Sequence, residues 1–567
     1  MMRKFYKLYL VYALSCLMVL QLSAGERSYV IPQFVSEMGQ IEILLNGTWD
    51  FKPSSKSGWT TVQVPGEVVM QGYAIEHDQP FWYRKSFTLS DSYRNKRVIL
   101  RFDGVYSHAS LTVNGKKVRE HFGGFTRWET DITSYVKIGK KNEIELEVTD
   151  RLDDISYASG YAHHPIGGIL RDVTIFALPE THIFDFYAET LLDASYENAV
   201  LKLGYSASAS EESEVRYTLL SPQGKRIELP VSVFPLRKGE NVEVVNELPV
   251  NNVLKWDAEH PNLYSLTVQV WQDGKEISCF SKKIGFREVQ IVKERMLVNG
   301  MPIKLRGACR HDMHPTLGRT TTEELDSLDA VMFKRANMNF VRTSHYPPTE
   351  RFLEYCDKLG LYVECETAVC FVDTYRQKNY KPGRSQDDAD FTHRYLSQCM
   401  EMVNSLRSHS SIIFWSIGNE SRYGENFRLS WDWIKKADPT RPVIFSWPGT
   451  VKEKDKVYDI VSMHYPNING GLKQFGMTVQ NFEGYDMPVL FDEWAHPACY
   501  TYKTLQEDPN IREFWGISLD KMWSKLFNTS GGLGGAIWGY IDETFMVPEL
   551  KVGEPYWKTF ARTAKPQ

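Results

Sequence analysis

The sequence predicts three folded modules in series: a jelly-roll-like β-sandwich over residues 25–182, an immunoglobulin-like β-sandwich over 183–289 and a (β/α)8 TIM barrel over 290–567. Three observations predict this order. From about residue 40 to 180, short runs with period-two alternation are separated by turn residues. A second alternating stretch of roughly 105 residues has the size of a small immunoglobulin-like sandwich. After about residue 290 the pattern changes, and eight short apolar runs alternate with amphipathic helices over about 275 residues, the rhythm of a (β/α)8 barrel. At 567 residues and 65.5 kDa the chain has ample length for several domains.

Ahead of the first module stand Arg3, Lys4 and Lys7, then the apolar run Leu8 to Leu22, then Ser23, Ala24 and Gly25. Basic, apolar, then small is the order of a secretory signal peptide, so residues 1–24 are expected to direct export to the periplasm or the medium. The apolar run is about 15 residues, short of the roughly 20 needed to span a bilayer. In the first sandwich, Val98–Phe102, Ser110–Val113 and Glu143–Val148 read as strands, and Asn114-Gly115 is a hairpin turn signal. Val200–Leu203, Arg216–Leu220 and Leu266–Val270 represent the second. Barrel strands are expected at Ile303–Gly307, Asn339–Thr343, Leu361–Glu364, Ser411–Ser416, Val443–Ser446, Ile460–Met463, Val489–Phe491 and Gly534–Trp538. Helices are expected at Glu323–Ala336, Glu350–Leu359, Thr392–Ser405 and Asn510–Phe527.

Composition removes several function classes. With 66 basic and 71 acidic side chains, the formal charge of −5 exerts no sustained attraction on a nucleic acid. Hydrophobic residues at 42% and charged residues at 24% exclude wholesale disorder. No second apolar stretch is long enough to span a membrane. Removing the leader leaves Cys279, Cys309, Cys356, Cys365, Cys370, Cys399 and Cys499, an odd number without paired zinc-ligand spacing. Buried free thiols are the expected outcome.

A barrel places its chemistry at the C-terminal ends of its strands. Taken strand by strand, those ends carry Arg310-His311-Asp312 and His314, then Arg342, Ser344, His345 and Tyr346, then Glu364 and Glu366. The fourth carries Asn419-Glu420, the sixth His464-Tyr465, the seventh Asp492-Glu493 with His496, and the eighth Trp538. Each residue alone is equally a solvated loop group or a satisfied buried histidine; together they converge on one cavity.

Glu420 and Glu493 stand out because strands four and seven lie on opposite sides of a barrel mouth. A facing carboxyl pair suits glycosidic bond cleavage, in which one protonated group assists the leaving oxygen and one ionised group attacks or supports the anomeric carbon. Their environments must separate the two proton affinities. Arg342 reaching Glu493 would keep that carboxylate charged, while Asn419 and aromatic surface beside Glu420 could preserve its proton. The same pair could instead bind a metal ion given further ligands nearby. Residue types alone permit either use.

The run Asn339-Phe340-Val341-Arg342-Thr343-Ser344-His345-Tyr346-Pro347-Pro348, continuing through Phe352-Leu353, Cys356-Asp357 and Gly360-Leu361-Tyr362-Val363, resembles the signature of glycoside hydrolase family 2, which contains β-galactosidases, β-glucuronidases and β-mannosidases. Trp415-Ser416-Ile417-Gly418-Asn419-Glu420 resembles its acid/base motif, and Phe491-Asp492-Glu493-Trp494-Ala495-His496 its nucleophile motif. The resemblance covers nearly the whole chain after the leader and implies a sugar-binding-like first sandwich. It implies Glu420 as general acid/base and Glu493 as nucleophile of a retaining, exo-acting hydrolase. It further implies Asn419 on the sugar 2-hydroxyl, Tyr465 against the nucleophile, Arg342, His345, His311 and His496 lining the pocket, and Trp538 as an aromatic platform. The expected partner is a carbohydrate, and a homo-oligomer is left open.

Arg310-His311-Asp312-Met313-His314-Pro315 with Gly318-Arg319 is most similar to the galactosidase branch, and no Asn-x-Lys follows Trp538 as in the glucuronidase branch. A terminal β-galactoside is therefore the expected substrate, with a β-glucuronide or another β-glycoside as the alternative. A carbohydrate-binding protein without turnover is the alternative of another class. Where metal-dependent relatives carry Glu-x-His after the third strand, Glu366 here precedes Thr367-Ala368-Val369-Cys370-Phe371, so no magnesium ion and no other cofactor is expected. Tyr161-Ala162-His163-His164-Pro165 stands where large galactosidases use a sandwich-domain aspartate, which puts their handling of the 6-hydroxyl and sodium in question. The sequence ends 29 residues past Trp538, so the added C-terminal β-domains of many relatives are not expected.

Overall fold

In the strand Lys141–Thr149, Ile144, Leu146 and Val148 are buried while the alternating Glu143, Glu145 and Glu147 remain half-buried on the other face. That pleat makes one face of the strand a core face. The strand is fourth in a six-stranded antiparallel sheet ordered Thr60–Val64, Gly47–Lys52, Phe81–Thr88, Lys141–Thr149, His108–Val113 and Lys116–Phe122. The computed structural model describes residues 41–153, 155–156, 165–373, 385–466, 472–474, 477–479, 486–495, 511–541 and 545–548. The expected leader 1–24, residues 161–164, His496 and Cys499 lie outside them.

Asn114 and Gly115 join the last two strands of that sheet with φ of 50° and 77°, the left-handed pair a two-residue hairpin demands. A four-stranded sheet (Glu42–Leu44, Val173–Leu178, Arg97–Phe102, Trp128–Asp131) packs on it around Trp49, Phe51, Tyr83, Leu100, Leu111 and Ile175. The second module sets the sheet His182–Leu192, Ala199–Ala209 and Gly239–Val250 against another built on Ser213–Leu220, Tyr264–Gln272 and Lys275–Ile284. Leu201, Leu203, Val215, Leu219, Leu266 and Val268 fill the space between them.

Eight parallel strands then close into a barrel: β1 Leu305–Arg310, β2 Phe340–Thr343, β3 Tyr362–Glu366, β4 Ile412–Ser416, β5 Val443–Phe445, β6 Ile460–His464, β7 Val489–Trp494 and β8 Gly532–Ile537. Helices α1 Glu323–Arg335, α2 Glu350–Leu359, α3 Thr392–Leu406, α4 Glu425–Ala437 and α5 Ile511–Asn528 intervene. The side chain of Thr349 accepts a hydrogen bond from Phe352 N at the start of α2, and Gly360, with φ of 75°, ends it. Four strands run further at their C-terminal ends than their apolar stretches suggest: β1 includes Arg310, β3 includes Glu366, β6 includes His464, and β7 includes Asp492 and Glu493. Polar side chains extend them because inside the barrel they satisfy one another.

The first sandwich props the barrel mouth. Arg171 Nη2 donates to Asp312 Oδ2 (2.9 Å) and to Pro347 O (2.6 Å), just beyond β1 and β2. Phe125 stacks on Tyr346 with ring centroids 3.7 Å apart, and the Glu67 carboxylate accepts from Arg319 N at 2.8 Å. Among the described residues no helix is long and apolar enough to cross a membrane. Cys309, Cys356, Cys365 and Cys399 are buried free thiols, Cys279 is a half-buried one, and Cys370 is buried.

Candidate active site

Arg342 projects from β2 into the barrel and is fully buried. Burial opposes its charge, but Glu366 and further acidic neighbours keep the guanidinium protonated. Its nitrogens donate to Glu493 Oε2 (3.0 Å), Glu366 Oε2 (2.8 Å) and Asn419 Oδ1 (2.9 Å), so one planar fork fixes side chains from β3, the β4 loop and β7. Glu366 also accepts from Ser416 Oγ at 2.7 Å and His345 Nδ1 at 2.8 Å. Beneath them Glu364 is fully buried, 3.5 Å from Arg342 Nε, and burial together with Asp492 pushes its carboxyl well above the usual range.

Glu493 Oε1 accepts from the Tyr465 hydroxyl, and the Tyr465 backbone N–H donates to Glu493 O at 2.8 Å. Burial and Glu493 both push the Tyr465 hydroxyl upward, so it remains a donor. Across the mouth, Glu420 follows Gly418 and Asn419 on the β4 loop. A Cβ at Gly418, where φ is 148°, would lie 2.9 Å from Val369 O. Glu420 itself has φ of 34°, and its backbone N–H donates to Ser446 Oγ at 2.6 Å. Trp447, Tyr465 and Ala495 also have left-handed backbones, the kind of conformation that persists only where the surroundings impose it.

The two carboxyls meet around His464. Its Nδ1 lies 3.0 Å from Glu420 Oε1 and 3.2 Å from Glu493 Oε2. Glu420, His464 and Glu493 each bring one ligand-type atom within 4.8 Å of the others. The imidazole is hydrogen-bonded to Glu420, and Arg342 with His464 sets positive charge against these carboxylates. Burial disfavours the His464 cation, yet Glu493 and Asp492 outweigh it and hold its pKa well above the ordinary histidine value.

A wall of rings completes the site. His345 stacks on Trp538 (centroids 5.1 Å apart, 8° between planes), and His311 meets both edge-on at 5.4 Å. Burial, then Arg342 for His345 and Arg319 for His311, lowers both pKa values well below the ordinary range. These imidazoles are neutral.

The structure thus brings together Arg342, Asn419, Glu420, Glu493, Tyr465, His345, His311 and Trp538, while His496 lies outside the described residues. The expected contact from Arg342 to Glu493 is present. Sequence reasoning gave no role to His464, Glu366, Glu364 or Ser446. The spacing Glu364-Cys365-Glu366 on a short strand signalled two carboxyls on one face. Ser446 carried no signal, since only the fold sets β5 beside the β4 loop.

Comparison with known proteins follows the same three modules. Residues 35–179 match the model described as glycosyl hydrolases family 2, sugar binding domain; residues 181–287 match glycosyl hydrolases family 2; and residues 289–528 match glycosyl hydrolases family 2, TIM barrel domain. A beta-galactosidase of Photobacterium profundum is 28% identical over 552 residues, covering 88% of this chain and 50% of that protein. One of Priestia megaterium is 30% identical over 446 residues, covering 70% and 43%. The chain spans about half the length of the curated relatives it matches. Among solved structures, a β-D-glucuronidase of Dictyoglomus thermophilum has a TM-score of 0.74 at 21% identity, covering 90% of this chain and 93% of that one. A Ruminococcus gnavus β-glucuronidase has 0.75 at 20%, covering 92% and 95%. At such identities the solved structures establish the fold. With all three modules matched in order, the chain belongs to glycoside hydrolase family 2.

Proposed function

We propose that this chain is a retaining, exo-acting β-glycosidase that removes terminal β-galactosyl residues by double displacement. The observation that carries the reading is the approach of Glu420 and Glu493 to within 4.8 Å, with Glu493 held by Arg342 and Tyr465. Retaining enzymes need roughly 5–5.5 Å between carboxyls, whereas an inverting pair stands further apart to admit water. In the first displacement Glu493 attacks the anomeric carbon as Glu420 protonates the departing oxygen. In the second, Glu420 takes a proton from water, and the water oxygen displaces Glu493. Asn419, held by Arg342, would present its amide to the 2-hydroxyl.

A neutral sugar is favoured by the wall of His311, His345 and Trp538, whose imidazoles carry no charge to receive a sugar carboxylate. Relatives named beta-galactosidase add weight. The basic, apolar and small residues of 1–24 support export as its route to glycans outside the cytoplasm. The test is release of nitrophenol from aryl β-galactoside, glucuronide, mannoside and glucoside by wild type and Glu493→Ala. Fastest release from the galactoside, abolished in the variant, is expected. Faster release from the glucuronide would overturn the glycone; no release from any substrate with sugar binding intact would make the chain a carbohydrate-binding protein.

A further inference from the structure

His464 ends β6 with its side chain 1% exposed, and both ring nitrogens face acids. Nδ1 addresses Glu420 Oε1 and Glu493 Oε2 at distances that differ by only 0.2 Å (3.0 and 3.2 Å), while Nε2 stands 3.5 Å from Asp492 Oδ2. Asp492 is itself anchored, accepting from Ser462 Oγ at 2.7 and 2.8 Å and from Met463 N at 3.2 Å. The ring faces a hydrogen-bonded carboxylate at 3.5 Å on its far side and is shared on its near side between the two groups assigned to catalysis.

On the reading of Glu420 and Glu493 above, we infer that His464 is a positioning residue whose single Nδ1–H follows the negative charge between them. It is shared between the two before the first displacement, its shorter contact already the 3.0 Å one to Glu420, and serves Glu420 alone once the glycosyl ester has formed. In the first step the anomeric carbon–oxygen bond breaks, its electron pair and the Glu420 proton going to the leaving group, while a bond forms from Glu493 to the anomeric carbon. The ester leaves Glu493 uncharged and Glu420 anionic. In the second step water bonds the anomeric carbon, its proton passes to Glu420, and the ester electron pair returns to Glu493. His464 keeps its proton throughout.

This placement addresses a requirement of double displacement: the same carboxyl must hold a proton in one step and lack it in the next. While the Glu493 charge competes for the donor, Glu420 keeps its proton; once the ester removes that charge, the donor 3.0 Å from Glu420 lowers its proton affinity and prepares a base. The other groups facing His464 agree with a lasting cation. Asp492 on β7 is held below its ordinary pKa, burial notwithstanding, chiefly by His464. Burial pushes the Glu364 carboxyl on β3 upward, the His345 imidazole on the β2 loop downward and the Tyr465 hydroxyl next in sequence upward, each toward its uncharged form.

The test uses the full chain and a dinitrophenyl glycoside, whose turnover is limited by hydrolysis of the ester. The acid limb of its kcat profile reports ionisation of Glu420 in the glycosyl enzyme. His464→Gln should move that limb up by about one pH unit, and His464→Lys, which restores a cation, should bring it back. A uniform fall in kcat with the limb unmoved would overturn the inference, as would a shift that lysine fails to reverse. Should the variants not fold, 15N-histidine NMR of wild type decides. A doubly protonated ring that persists above the ordinary histidine range and changes when Glu493 is trapped by a 2-deoxy-2-fluoro sugar supports the inference, and its absence refutes it. Failure of the hydrolase reading is distinct: wild type would be inactive on every aryl glycoside, or Glu493→Ala would remain active.

Discussion

Replacing Glu420 by alanine separates the two roles assigned to one carboxyl, and the geometry sets how large each loss should be. The deletion removes the oxygen 3.0 Å from His464 and opens a space within 4.8 Å of Glu493, leaving the nucleophile's contacts with Arg342 and Tyr465 intact. Proton transfer by a positioned side chain contributes roughly 10²–10⁴ in rate, or about 3–5 kcal/mol. An alkyl β-galactoside, whose leaving group cannot depart unprotonated, should lose that full factor in kcat/KM. A dinitrophenyl β-galactoside should lose about tenfold or less in kcat/KM, because its leaving group needs no proton. Its kcat should still fall, since the ester now lacks a base. Azide, a small anion suited to the vacated space, should restore kcat and yield the β-configured glycosyl azide, as attack on an ester of Glu493 requires. Steady-state rates on both substrates and NMR of the azide product make the measurement. Equal losses on the two substrates would refute the acid assignment, and an α-azide would refute the covalent ester on Glu493.

Ser446→Ala removes the acceptor of the part-buried Glu420 backbone N–H, a loss of about 0.5–1.5 kcal/mol. About a tenfold lower kcat/KM on the alkyl glycoside, with a smaller change on the dinitrophenyl one, is the expected kinetic result. His409 is buried and lies 2.6 Å from Asp357 and 3.7 Å from Glu350; burial opposes its charge, but Asp357 and Glu350 raise its pKa to about 9. Its contribution, about 3 kcal/mol at most, is fully present below the unfolded histidine pKa of about 6.5 and is lost as pH rises through about 9. Urea unfolding of wild type and His409→Gln should therefore differ most at pH 6 and converge toward pH 9; a constant difference would refute the linkage.

Much of the fold was legible because its periodicities are local. Asn114-Gly115 announces a hairpin in two residues, and the run Ile412-Ile413-Phe414-Trp415 announces a strand buried on both faces. Strand ends were less legible where polar residues continue into the barrel: Phe491 ends an apolar run, but β7 proceeds through Asp492 and Glu493 because Ser462, His464 and Arg342 satisfy them there. Arg342, Glu420 and Glu493 could be singled out from position at strand ends and from motif. His464 could not be ranked above its neighbours, since a histidine at a strand end has the same appearance whether it faces solvent or three carboxylates.

The order of three modules, the eight-strand rhythm and the identity of the two facing carboxyls were determined by the amino-acid sequence itself, since each rests on spacing along the chain. Tertiary structure alone decided which charges share a neighbour. Residues 44 positions apart, Glu420 and His464, come within 3.0 Å, and residues 151 apart, Arg342 and Glu493, also lie 3.0 Å apart. Proton affinity depends on distance through space and on exclusion of water, and neither is encoded in the spacing of residues along a strand.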